Sequence, residues 1–149
     1  MQDIIENTIV LNAPLSRVWR AISTASEFGT WFRVNLDGEF VVGESNTGHI
    51  TYPGYEHMLW YSAVVAMEPK HRFVIDWPLI SKDNVEELAA QAMTRVEFTL
   101  TEEGAGTRLT ITESSFKNLP DTTETVKAYE DNIEGWQIQR ANIRAYVEG

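Results

Sequence analysis

The stretch Val126–Gly149 reads VKAYEDNIEGWQIQRANIRAYVEG. Within it Val126, Tyr129, Ile133, Trp136, Ile143 and Val147 recur in three- and four-residue steps, the spacing of one apolar face on an α-helix. The pattern predicts about 25 residues of helix, or ~37 Å at 1.5 Å per residue. A helix of that length needs a broad surface to cover its apolar stripe. Working back along the chain, Thr107–Glu113 alternates through Leu109 and Ile111, and Thr94–Thr101 through Val96, Phe98 and Leu100. Glu103-Gly104-Ala105-Gly106 joins those two runs as a hairpin turn. His71–Trp77 places His71, Phe73, Ile75 and Trp77 on one face, and Leu59–Met67 is apolar on both faces.

Nearer the start, Gly48–Tyr52 reads as a short strand closed by Pro53-Gly54, and Asn35–Gly43 as a loosely alternating one, with turn residues over Gly43–Gly48. Ile4–Leu11 (IIENTIVL) is β-rich and leads into Pro14, which suits the first turn of a helix carrying Leu15, Val18, Trp19 and Ile22. Glu27–Trp31 forms a second short turn, and Asp83-Asn84-Val85-Glu86 resembles a capping box for a brief helix through Gln91. This order predicts an α+β fold, an antiparallel sheet of about six or seven strands wrapping the final helix.

Composition narrows the function classes. A length of 149 residues fits one domain over residues 1–149. Twelve Lys and Arg against 22 Asp and Glu give a net charge of −10, which argues against nucleic-acid and anionic-lipid partners. With no cysteine, thiol nucleophiles and Cys-ligated zinc are excluded. No apolar run reaches ~18 residues, and Met1–Val10 lacks a basic start and an apolar core of a leader, so no membrane insertion and a cytoplasmic location are expected.

Several words in this order resemble the START/Bet v 1-like (SRPBCC) superfamily, and within it the activator of Hsp90 ATPase homologue 1-like (AHSA1-like) branch. They are Ala13-Pro14-Leu15-Ser16-Arg17-Val18-Trp19, Phe28-Gly29-Thr30-Trp31-Phe32, Met67-Glu68-Pro69 with His71-Arg72-Phe73, Thr94-Arg95-Val96-Glu97-Phe98, Gly106-Thr107-Arg108-Leu109-Thr110-Ile111, and Gly135-Trp136. The resemblance implies a helix-grip fold, a curved antiparallel sheet holding the C-terminal helix, often with an apolar cavity between them. It does not imply one function, because the superfamily includes co-chaperone domains, lipid and hormone binders and polyketide cyclases. Arg140 departs from the pattern, which usually has an aliphatic residue there.

Arg140 stands one turn from Trp136 and one from Ile143. Either its guanidinium reaches water or a strand carboxylate such as Asp76 or Glu97, or it enters the cavity and holds a ligand anion through its planar fork. Among five tryptophans, Trp31, Trp60, Trp77 and Trp136 are expected near the sheet–helix interface with Phe98, as core or as pocket wall, and Trp19 as core. His49 and His57 flank a Pro-Gly turn without a third convergent ligand, so no metal and no cofactor is expected. A lone His49 or His57 at the pocket mouth, with Tyr52, is the acid–base alternative. No G-x-S-x-G, P-loop or G-x-G-x-x-G motif is present.

Most of the carboxylates, among them Glu86-Glu87, Glu102-Glu103, Asp121, Glu124 and Glu130-Asp131, read as a solvated acidic skin rather than as acid–base pairs. The long connection Pro78–Met93, with Leu79, Ile80, Leu88 and Met93, is either a lid over one end of the cavity or a surface excursion. Taken together, the expected function is binding of a small apolar or aromatic molecule that can carry an acidic group, through Trp31, His49, Tyr52, Trp60, Trp77, Phe98, Trp136 and Arg140. The alternatives are a co-chaperone-like domain that meets a chaperone or other protein, and a polyketide cyclase or aromatase-like enzyme. A homodimer is compatible with each.

Overall fold

The computed structural model describes residues 1–149. The elements run β1 (Ile4–Leu11), α1 (Leu15–Ser23), α2 (Ala25–Phe32), β2 (Val34–Leu36), β3 (Ser45–Ile50), β4 (Leu59–Glu68), β5 (Arg72–Pro78), α3 (Val85–Ala89), β6 (Met93–Glu103), β7 (Gly106–Ser114) and α4 (Thr123–Glu148). Seven strands form one antiparallel sheet in the order β1-β7-β6-β5-β4-β3-β2. A register shift between Val64 and Ala66 of β4 adds local twist and helps the sheet curl around α4. This is the α+β helix-grip architecture. No helix is long and apolar enough to cross a membrane.

The alternating strands supply one inward row each. Ile5 and Ile9 of β1, Leu109 and Ile111 of β7, Val96, Phe98 and Leu100 of β6, and Phe73 and Ile75 of β5 are buried against the helices. Phe28 sits at the middle, its ring within 6.2 Å of those of Trp31, Phe32, Phe40, Trp60 and Phe98. Aromatic side chains therefore occupy the space that the grip encloses.

Four sequence expectations are corrected here. The strand expected over Asn35–Gly43 ends at Leu36, because Gly38 and Gly43 take left-handed φ values of 79° and 87° and Asn46 Nδ2 donates to the carbonyls of Asp37 and Glu39. The turn-like residues Ser45, Asn46 and Thr47 instead open β3, paired with Ala63, Ser62 and Tyr61, so tertiary pairing overrides their propensity. Within this ribbon a Cβ on Gly48 would lie 2.1 Å from the Asn35 carbonyl oxygen, a close approach only glycine permits. The brief helix ends at Ala89, and its cap is Asn84 accepting from Glu87 N–H, one residue later than the expected box.

On α4 the buried stripe is Thr125, Tyr129, Trp136, Ile143 and Val147, while Ile133 is 41 % exposed. Half-buried Asn132, one residue earlier, takes the inward place.

Glu27 ties the short helices to the end of α4. Its carboxylate accepts from Arg17 at 2.6 Å, Arg20 at 3.0 Å and the Tyr146 hydroxyl at 2.9 Å, and the Arg17 guanidinium lies 4.8 Å over the Tyr146 ring. Partial burial acts to raise the Glu27 pKa, but Arg17, Tyr146 and Arg20 together outweigh it and hold the carboxyl below its ordinary 4.5. A depressed carboxyl contributes stability above its unfolded-state pKa and loses it as pH falls through the folded-state value. Glu27→Gln is expected to cost about 1–2 kcal/mol at pH 7 in denaturant unfolding and progressively less below about pH 4. An equal deficit at pH 7 and pH 3 would show that the charge does not matter.

Candidate functional site

Three neighbouring strands present inward side chains at the same end of the grip: Trp77 of β5, Thr94 of β6 and Glu113 of β7. Strand alternation puts Glu113 in phase with buried Leu109 and Ile111, so it cannot turn to solvent without breaking the register. It is fully buried and no cation meets it. Instead Oε1 accepts from Trp136 Nε1 at 2.9 Å and Asn132 Nδ2 at 2.9 Å. Oε2 accepts from Trp77 Nε1 at 2.8 Å, Thr94 Oγ1 at 2.6 Å and Asn132 Nδ2 at 3.1 Å. These donors fill the four or so acceptor directions of a carboxylate. Glu113 thereby fixes the orientation of Trp77 and Trp136, whose rings stack at 5.6 Å, and of Asn132.

Above this knot lies an apolar cleft of about 240 Å³. Phe32, Trp60 and Trp77 make its floor, with ring centroids 5.2–5.9 Å apart, and Leu79, Ile80 and Leu88 come from the segment between β5 and β6. Asn132 lines it from α4, and Ser81 and Tyr61 contribute further polar groups. Through Phe32, Ile50 and Met58 it meets a second cleft of about 390 Å³ beneath Tyr52, Tyr55 and Ile138. Those three side chains are 51–53 % exposed, an apolar rim that a soluble surface ordinarily avoids. A larger hollow of about 510 Å³ between α2 and residues 33–39 is walled mostly by polar and small residues and has little apolar surface to offer.

A family model described as Activator of Hsp90 ATPase homolog 1-like protein matches residues 12–148. The chain belongs to that family.

Solved structures agree on the AHSA1-like fold. DynU16, a protein from the dynemicin biosynthetic locus, matches with a TM-score of 0.75 and 20 % identity over 99 % of this chain and 48 % of its own, so this chain spans about half of it. MLL2253 from Mesorhizobium loti matches with a TM-score of 0.75 and 20 % identity, covering 97 % of this chain and 96 % of that one. The Aha1 dimer from Colwellia psychrerythraea gives a TM-score of 0.69 and 18 % identity over 99 % of this chain and 97 % of its own. At these identities the likeness establishes the fold alone. Among curated proteins no match is found.

Against this AHSA1-like frame the predicted site residues divide. Trp60 and Trp77 line the first cleft, and Tyr52 lines the second. Trp136 and Phe98 lie behind them, buried and 6.2 Å apart. Trp31 is buried beside α1, donating to the Ala21 carbonyl at 2.8 Å. All four indole N–H groups expected at the interface are committed within the protein, since Trp60 donates to Ser62 Oγ at 2.9 Å. The tryptophans therefore offer a ligand their faces only.

His49 is exposed on β3, opposite Leu59 and Asn35, and lines neither cleft. His57 is exposed in the loop between β3 and β4. Arg140 also stands apart, on the side of α4 that faces β1, donating to Gln137 Oε1 at 3.0 Å and Asn7 Oδ1 at 3.4 Å, with Nε buried and unpaired. The carboxylates suggested for it are engaged elsewhere, Asp76 by Arg95 and Glu97 by Arg72. Glu113 and Asn132 are the residues that sequence reasoning missed.

Proposed function

We propose that the chain binds a small apolar or aromatic molecule reversibly in the joined clefts at the mouth of the grip, between the 51–58 loop, the 79–88 segment and α4. The observation that carries this reading is the floor of Phe32, Trp60 and Trp77, held in place from below by Glu113 and open to solvent above. Because the interior is already filled by Phe28 and its neighbours, the ligand lies at the mouth, and the segment with Leu79 and Ile80 closes over it. Burial of its surface, at ~25 cal/mol per Å² before ordering costs, supplies the driving force. Glu113 shapes the cleft from behind Trp77 and Asn132, with its oxygens saturated by protein donors.

At a ligand concentration one hundred times Kd, binding stabilises the fold by about 2.7 kcal/mol, which is a rise of roughly 5–10 °C in Tm. A panel of mono- and bicyclic aromatics read by thermal shift tests this. Ile80→Asp, at a half-buried position, is expected to remove the shift while moving the unliganded Tm by only a few degrees. A full ligand shift in Ile80→Asp would place the ligand elsewhere.

A second reading rests on the exposed rim of Tyr52, Tyr55 and Ile138. Such a patch suits a protein partner, and the family's description points to a chaperone ATPase. Stimulation of that ATPase by the unmodified chain, lost in Tyr55→Asp, supports it, whereas no stimulation leaves the small-molecule reading alone.

A further inference from the structure

We infer that the first cleft, floored by Phe32, Trp60 and Trp77, selects ligands carrying a hydrogen-bond donor and rejects carboxylates, with Asn132 Oδ1 as the recognising atom. The inference rests on the groove being a ligand site and adds the chemistry of what it takes. A carboxylate accepts hydrogen bonds, so the groups packed on Glu113 have to be donors. Asn132 meets both oxygens with its amide nitrogen, at 2.9 and 3.1 Å. The hydrogen bonds its side chain makes within the protein both run through that nitrogen, which leaves the carbonyl oxygen free on a side chain that lines the cleft.

The same buried residue that fixes Trp77 thus also turns the amide so that an acceptor serves the cleft. No Lys, Arg or His lines this cleft. In the hollow beside α4 the basic group is Lys127, which is paired with Asp131 at 3.1 Å, with Glu124 beside it, while Arg33 lines the second cleft, across Phe32 and Ile50. Arg140 is held by Asn7 and Gln137. Within the first cleft an incoming carboxylate would shed its hydration to face a carbonyl oxygen with no compensating cation. A phenolic hydroxyl or an ammonium gains a partner there instead. Ser81 and Tyr61 carry hydroxyls that either give or accept, and so do not discriminate.

Four bicyclic probes of one shape separate the possibilities: 2-naphthol, 2-methoxynaphthalene, naphthalene and 2-naphthoate. Binding to the unmodified chain is read by tryptophan fluorescence and thermal shift at pH 7. One net hydrogen bond corresponds to about a three- to tenfold gain in affinity. 2-Naphthol is expected to bind that much more tightly than the ether or the hydrocarbon, with 2-naphthoate weakest of the four. Asn132→Leu is expected to bring the naphthol down to the level of the ether.

If 2-naphthoate binds as tightly as 2-naphthol, or if all four bind equally, the donor rule is overturned and the groove stands. A naphthol preference that survives in a folded Asn132→Leu variant overturns the role of Asn132. Should that variant not fold, the ranking on the unmodified chain decides the rule. If none of the four binds, the groove reading falls and this inference with it.

Discussion

Glu113→Ala is expected to remove about 3–5 kcal/mol of stability, the largest loss from any single side chain at the site. The substitution leaves the Thr94 hydroxyl, the Trp77 and Trp136 indole N–H groups and the Asn132 amide without their shared acceptor. An unsatisfied buried donor costs about 1–3 kcal/mol, and water entering the vacated space restores only part of that. Against a total stability of about 5–15 kcal/mol for a domain, the expected loss is a third or more. In thermal unfolding it corresponds to a fall of roughly 10–20 °C.

Glu113→Gln separates size from chemistry. The amide keeps one acceptor oxygen but turns an NH₂ toward donors, so a loss of about half that of the alanine variant is expected. If Glu113→Gln matches the native chain in denaturant unfolding, the donor knot does not depend on the carboxylate.

Phe28→Ala is expected to cost a similar amount, about 3–5 kcal/mol, for a different reason. Phe28 is fully buried, stacked on Phe32 at 5.0 Å and edge-on to Trp31 at 4.9 Å and Phe40 at 5.5 Å. Removing the ring takes away transfer energy and opens an apolar hollow inside a grip that is otherwise full. Such a hollow stays dry and accepts small apolar guests. Benzene is therefore expected to raise the Tm of Phe28→Ala by more than it raises that of the unmodified chain. Equal shifts in the two proteins would mean that the core relaxes to close the space. Because Phe32 is also part of the cleft floor, loss of ligand affinity in this variant links the packed interior to the mouth.

The architecture was legible because alternation and helical periodicity are signals of burial, and most of the buried residues are apolar. Leu109 and Ile111 on β7, or Tyr129, Trp136 and Ile143 on α4, announce their inward face directly. The site was less legible because it uses polar residues in those same phases. Glu113 follows Leu109 and Ile111 by two-residue steps, so its inward position was already implicit in the strand's alternation. Reading most of the carboxylates as a charged surface, without testing each against the buried phase of its strand, passed it over. Asn132 is likewise displaced by one position from Ile133, whose apolar character attracts the helical assignment although it is 41 % exposed.

Arg140 shows the converse. Periodicity places it close to the stripe, but only the pairing of α4 against β1 decides that its guanidinium meets Asn7 rather than the cleft. The loop residues Tyr52, Tyr55 and Met58 have no periodicity at all, and their joining with Ile50 and Phe32 is a product of β3 and α2 meeting in space.

The location of the ligand is the claim on which the functional account turns, and the indole N–H resonances of the five tryptophans report on it directly. In a ¹H–¹⁵N titration with 2-naphthol, the account predicts saturable shifts at Trp60 and Trp77, on the cleft floor, with Trp19 and Trp31 unmoved. Shifts led by Trp31 and Trp19 with Trp60 and Trp77 unmoved, or no shift at any indole at saturating probe, would contradict it.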